Sequence, residues 1–178
     1  MVVTFIYVFH LPVRMRDFTR KDIETTRQFL EGNGAFKERA SVVGHSLDYL
    51  VAPQSIQPKL PDFAIVQKGM TPEDGLLLAV SDSVPELFRP CWMLHEFVET
   101  LGDRRQLPDG CLDALRIELR AVPYGVLPVY GPRRLAFFGN LVKYASENSY
   151  PDADIARFKL SLDHLKQLGD KGWNWRQI

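Results

Sequence analysis

The stretch PELFRPCWMLHEFVETL, Pro85–Leu101, marks a change of texture in the chain. Ahead of it, short runs of β-branched and aromatic residues are separated by turns containing proline or glycine. From it onward, apolar residues recur at helical spacing. The pattern predicts a helix over Pro85–Leu101 and three more at about Asp109–Val122, Arg133–Ser146 and Asp152–Leu168. Upstream, Val2–Val13 reads as a buried strand, and Thr19 with Asp22 has the spacing of an N-cap and its reciprocal partner. A helix over Arg20–Glu31 follows, with Gly32 placed for a left-handed end. Residues 35–50 fit either a helix or a pair of strands, and Pro53, Pro58 and Pro61 impose a loop. Strands are expected at Phe63–Gln67 and Leu76–Val80. This order describes an α+β domain: a small sheet from the strand-rich residues 1–82, a helical half over 85–170, and a short tail from 171 to 178. Trp173 and Trp175 in that tail pack back on the domain or mark a self-association surface.

The 178 residues suit one domain large enough to bury a core without disulfides or a structural metal. The 22 lysines and arginines cancel the 22 aspartates and glutamates, so no net field draws a nucleic acid or an anionic membrane to the surface. No apolar run approaches the roughly 20 residues that span a bilayer. The two cysteines, Cys91 and Cys111, form no disulfide framework, and the N-terminus lacks the basic start of a secretory signal. A cytoplasmic protein is the expectation.

The chemistry concentrates at His95-Glu96-Phe97-Val98-Glu99. His95 and Glu99 stand four residues apart, so they project from one side of a helix, one turn apart, and can share an ion. On the wheel of Pro85–Leu101, drawn from Leu87, Glu99 falls between Phe88 and Trp92. A carboxylate among large apolar side chains requires a partner. Glu96 lies at the edge of the apolar arc, where a general base can face a cleft. On the next helix Glu118 sits with the apolar arc, between Cys111 and Ala114, while Asp113, Arg116 and Arg120 cluster opposite. Two consecutive helices thus each send a carboxylate inward.

These residues resemble the active-site helix of the zincin metallopeptidases, whose motif is His-Glu-x-x-His and whose Glu-type branch draws a third ligand from the following helix. Here Glu99 replaces the second histidine, and Glu118 follows it by 19 residues. The resemblance covers about Gly75–Val122. It implies that His95, Glu99 and Glu118 bind a divalent metal and that Glu96 polarises the attacking water. It also implies that Leu76–Val80 is the edge strand lining a substrate cleft. Zinc is the first expectation, and the harder His/Glu/Glu donor set admits manganese or iron. The function implied is hydrolysis of a carbonyl substrate, a peptide or a small molecule.

The same residues support a second reading. His95 hydrogen-bonded to Glu118 or Glu99 forms a metal-free buried network in a non-enzymatic interaction domain, which binds a protein partner or a second copy of itself. Glu96 and Glu99 can pair with Arg89, Arg104 or Arg105. Cys91, one turn before His95, and Cys111, near Glu118 by helical projection, read as small core residues, with ligation or a Cys91–His95 dyad as the alternatives. Tyr130 or Arg133 would be the candidates for stabilising an oxyanion.

Overall fold

The computed structural model describes residues 18–104 and 110–174 of the chain. The expected strand over Val2–Val13 lies outside them. Helix α1, Arg20–Gly32, begins with the reciprocal cap read from the sequence: the Thr19 hydroxyl accepts from the Asp22 amide and the Asp22 carboxylate accepts from the Thr19 amide. Gly32 remains helical, and the left-handed glycine after the helix is Gly34, at φ 94°.

The ambiguous residues 35–50 form strands. β1, Phe36–Val42, and β2, His45–Ala52, pair antiparallel from Phe36↔Val51 to Val42↔His45. The two residues between them, Val43 and Gly44, both have positive φ, the requirement of the tightest hairpin turn. β3, Ala64–Lys68, and β4, Leu76–Ser81, are also antiparallel, and the sheet order is β1-β2-β4-β3 with β2 and β4 parallel. β4 is therefore interior, which corrects the expectation of an edge strand at Leu76–Val80. A return of the chain from β2 to a parallel neighbour is a long-range choice that strand pattern does not encode.

Alternation along β2 and β4 divides the core. Leu50, Ala52, Leu77 and Ala79 pack with Ile23 and Leu30 of α1. Tyr49, Val51, Leu78 and Val80 face the opposite way, into the helical half. There α2, Arg89–Arg104, follows a short 3-10 turn at Glu86–Phe88. Leu87, in that turn, is 60% exposed, so the wheel drawn from it gave α2 too narrow a buried arc. Cys91, Trp92, Met93, Leu94 and His95 are all buried, because the sheet covers one side of α2 and the other helices cover the rest.

Three helices complete the layer: α3, Gly110–Ala121; α4, Leu127–Glu147; and α5, Asp152–Asp170. α4 starts six residues before the expected Arg133 and carries Pro132 inside it. A proline this near the start forgoes a hydrogen bond only in the second turn, and the buried Leu127, Tyr130 and Gly131 hold that turn in place. Trp173 folds back over α4, so close that a Cβ on Gly131 would lie 2.2 Å from its ring. Trp173 thus follows the first of the tail's two readings, packing on the domain, while Trp175 lies outside the described residues. Among the described residues, no helix is long and apolar enough to cross a membrane.

Candidate metal centre

Four helices converge on one imidazole. α2 contributes His95, 2% exposed, and Glu99 one turn later. α3 contributes Cys111 and Glu118, two turns apart on the buried face that the sequence assigned to them. α4 adds Tyr130 and Arg134, and α5 adds Asp154, Arg157 and Ser161.

Glu118 is fully buried and fully engaged. Arg134 grips it with both branches of its guanidinium, Nε to Oε1 at 2.7 Å and Nη2 to Oε2 at 2.9 Å. The Tyr130 hydroxyl donates to Oε1. Nδ1 of His95 lies 2.8 Å from Oε2, an ion-pair contact off the ring's N–H direction, so Nδ1 has no aligned acceptor. Arg134, itself fully buried, lies 4.0 Å from the Trp92 ring centroid and within 5.0 Å of Phe137 and Phe138.

The other nitrogen of the imidazole faces a different group. His95 Nε2 is 3.2 Å from Glu99 Oε2 and 3.8 Å from Cys111 Sγ, and Ser161 donates a hydrogen bond to that sulfur at 3.4 Å. The three donor atoms of His95, Glu99 and Cys111 all lie within 4.8 Å of one another. Glu99 Oε1 is buried without a hydrogen-bond partner among the described residues and faces Arg157 Nη2 at 3.9 Å.

Charges settle accordingly. Burial alone would lower the His95 pKa, but contacts with Cys111, Glu118 and Glu99 outweigh it and hold the ring well above its ordinary value, as an imidazolium. Burial pushes Glu118 up, and the Arg134 charge and His95 more than reverse this. Glu99 is likewise held below its usual range, burial being outweighed by His95 and Arg157. Half-buried Glu96 makes no ion pair among the described residues, and desolvation, only partly offset by the His95 charge, raises its carboxyl to about 7. Burial raises both thiols, Cys91 to about 12.

The residues fit a zinc ion. A tetrahedral site with ordinary bond lengths separates a nitrogen from an oxygen by about 3.4 Å and from a sulfur by about 3.6 Å, close to the spacings around Nε2. The unpartnered Glu99 oxygen and the carboxylate behind Nδ1 are also what a histidine ligand requires, since the second nitrogen is commonly braced by a carboxylate. Charge balances in both states. Without metal, His95 and Arg134 offset Glu99 and Glu118; with a divalent ion, loss of one proton from His95 and one from Cys111 restores the balance.

Of the residues singled out by sequence, His95, Glu99 and Glu118 do meet, with Glu96 beside them. Their roles divide: Glu99 shares the Nε2 side with Cys111, whereas Glu118 backs Nδ1 and gives both oxygens to Arg134, Tyr130 and His95. Glu99 pairs with Arg157 rather than with Arg89, which holds Glu38 at 2.6 Å; the side chains of Arg104 and Arg105 lie outside the described residues. Tyr130 is spent on Glu118 and Arg133 on Asp62, at 2.9 and 2.7 Å, so neither is placed as an oxyanion donor. Sequence reasoning missed Arg134. Its signal was present: an arginine four residues after Tyr130 and three and four before Phe137 and Phe138 shares their buried face. Asp154, Arg157 and Ser161 carry the same kind of signal, a polar stripe at helical spacing.

No protein-family model matches the chain, and no curated protein or solved structure matches it either.

Proposed function

We propose that this chain is a metal-dependent hydrolase in which His95 Nε2, Glu99 and Cys111 hold a divalent cation. The observation that supports this reading is the convergence of those three donors on one point, with a buried Glu99 oxygen left without a hydrogen-bond partner. The thiolate replaces Glu118 in the ligand set, and a nitrogen, oxygen and sulfur set favours zinc over the harder manganese or iron. A zinc ion held by these three residues would supply activation of a water nucleophile and polarisation of a carbonyl.

The protein's own groups do the rest. Glu118, locked by Arg134 and Tyr130, stands 2.8 Å from Nδ1 and steadies the imidazole by its charge rather than by an aligned hydrogen bond. Ser161 steadies the Cys111 sulfur. Glu96 is the general base: a carboxylate near neutrality accepts a proton from the attacking water and returns it to the leaving group. The resemblance to zincins makes a peptide bond the first substrate to try.

Elemental analysis of purified, tag-free protein tests the cation before any substrate is known. Near-stoichiometric zinc that is lost in both His95→Ala and Cys111→Ser supports the centre. Absence of zinc after dialysis against it overturns the centre and favours the second reading, a metal-free interaction domain, for which the balanced charges of the unmetallated cluster speak. Glu96→Gln is expected to keep the metal and lose at least about a hundredfold in turnover.

A further inference from the structure

α5 sets a hydroxyl into an apolar stripe. From Phe158 onward its buried residues are Phe158, Ser161, Leu165 and Leu168, the spacing of a helix face turned to a core, and Ser161 is wholly shielded from solvent. That hydroxyl also departs from what other helical hydroxyls of the chain do. Thr25, Thr26, Thr100 and Ser146 each donate to the carbonyl four residues back, at 2.8, 3.1, 2.7 and 2.8 Å. Ser161 instead reaches across to α3 and donates to the Cys111 sulfur at 3.4 Å.

A neutral thiol is a weak acceptor, so in the metal-free protein this hydroxyl gives up a stronger bond to a carbonyl. A thiolate reverses the balance, because a hydrogen bond to an ionised acceptor is about twice as strong as one between neutral groups. The orientation of Ser161 therefore suits the sulfur in the state that a metal ion imposes. Arg157, four residues earlier on the same face of α5, stands 3.9 Å from Glu99 Oε1. One helix thus sets a donor beside the sulfur and a charge beside the carboxylate.

We propose that Ser161 is a positioning residue of the metal centre, whose hydroxyl fixes the Cys111 thiolate and draws charge from it, so that a bound zinc ion keeps more of its Lewis acidity. The inference rests on the ligand set of His95, Glu99 and Cys111. A thiolate is the softest of those donors and passes the most charge to its metal, which weakens the polarisation of a carbonyl. A hydrogen bond on the sulfur limits that transfer.

The test replaces zinc by cobalt(II), whose thiolate ligand gives a charge-transfer band in the near ultraviolet. The full chain, stripped of metal, is titrated with cobalt as the wild type, Cys111→Ser and Ser161→Ala, and zinc affinity is read by competition with a chromogenic chelator. The band is expected in the wild type, absent from Cys111→Ser, and moved to longer wavelength in Ser161→Ala, because a sulfur without its hydrogen bond gives up an electron more readily. Ser161→Ala is also expected to lose about tenfold or more in zinc affinity while its metal-free form keeps the wild-type denaturation midpoint. A wild type without the band overturns the ligand set, and this inference with it. A band that depends on Cys111 but does not move in Ser161→Ala overturns this inference alone, as does a loss of zinc affinity matched by an equal loss of metal-free stability.

Discussion

The two faces of the sheet are built by different rules. Under α1 the core is Ile23, Leu30, Leu50, Leu77 and their apolar neighbours, with no ion pair at its centre among the described residues. Across the sheet, the larger core of α2 to α5 encloses His95, Glu118 and Arg134, each no more than 2% exposed. Among the described residues, the α1 face is closed by apolar side chains and neutral polar groups such as Thr26 and the Gln57–Tyr144 hydrogen bond. The charges of the other face are thus a burden that closing the sheet does not require, and the proposed metal centre would account for their arrangement around one imidazole. Desolvating such a cluster offsets most of what its ion pairs contribute.

The largest effect should separate these accounts. Arg134→Ala leaves Glu118 buried and uncompensated, and should cost about 3–5 kcal/mol in chemical denaturation. The double variant Glu118→Leu/Arg134→Met should recover most of that loss while still failing to bind zinc. If it stays as unstable as the single variant, the ionic cluster is a structural element after all. On the apolar face, Leu30→Ala should cost about 3 kcal/mol and leave zinc affinity unchanged, as measured by competition with a chromogenic chelator.

A smaller effect concerns pH. In the metal-free protein the Glu96 pKa is raised from 4.5 to about 7, so its contribution is complete below 4.5 and is lost as pH rises to about 7. Glu96→Gln lacks that loss. It should match the wild type near pH 4.5 and exceed it by roughly 1–3 kcal/mol at pH 8, seen in melts of both proteins across that range. Glu99 and Glu118, held below their usual range, act in the opposite sense: their stabilisation is complete above about 4.5 and disappears as pH falls through their lowered values. The smallest expected change is Arg133→Ala, which releases the clamp on Asp62 from a one-third exposed position and should cost about 1 kcal/mol without altering zinc binding.

Much of this division was legible in the chain. The Thr19–Asp22 cap, the helical periodicity after Pro85 and the inward placement of Glu118 are local properties, and the structure repeats them. Partners are not local. Glu118 announced that it needed a counterion, but the choice of Arg134 over Arg133 depends on how α4 is rotated against α3. Cys111 reaches His95 only through the α2–α3 packing that also fixes Glu118 behind the ring. The hairpin over residues 36–52 was ambiguous because exposed charges on β1 leave little apolar alternation to read, and the interior position of β4 followed from a parallel pairing between distant segments.

Trp92 gives the centre a readout of its own. Its indole is wholly shielded from solvent and stacked 4.0 Å from the Arg134 guanidinium, which is bonded to the carboxylate behind His95. An indole in that setting emits at short wavelength, and its intensity follows the charges beside it. If the proposed centre takes up a metal ion, exchange of the imidazolium proton for it would change the ultraviolet emission of the unlabelled protein, and loading could then be followed by light alone.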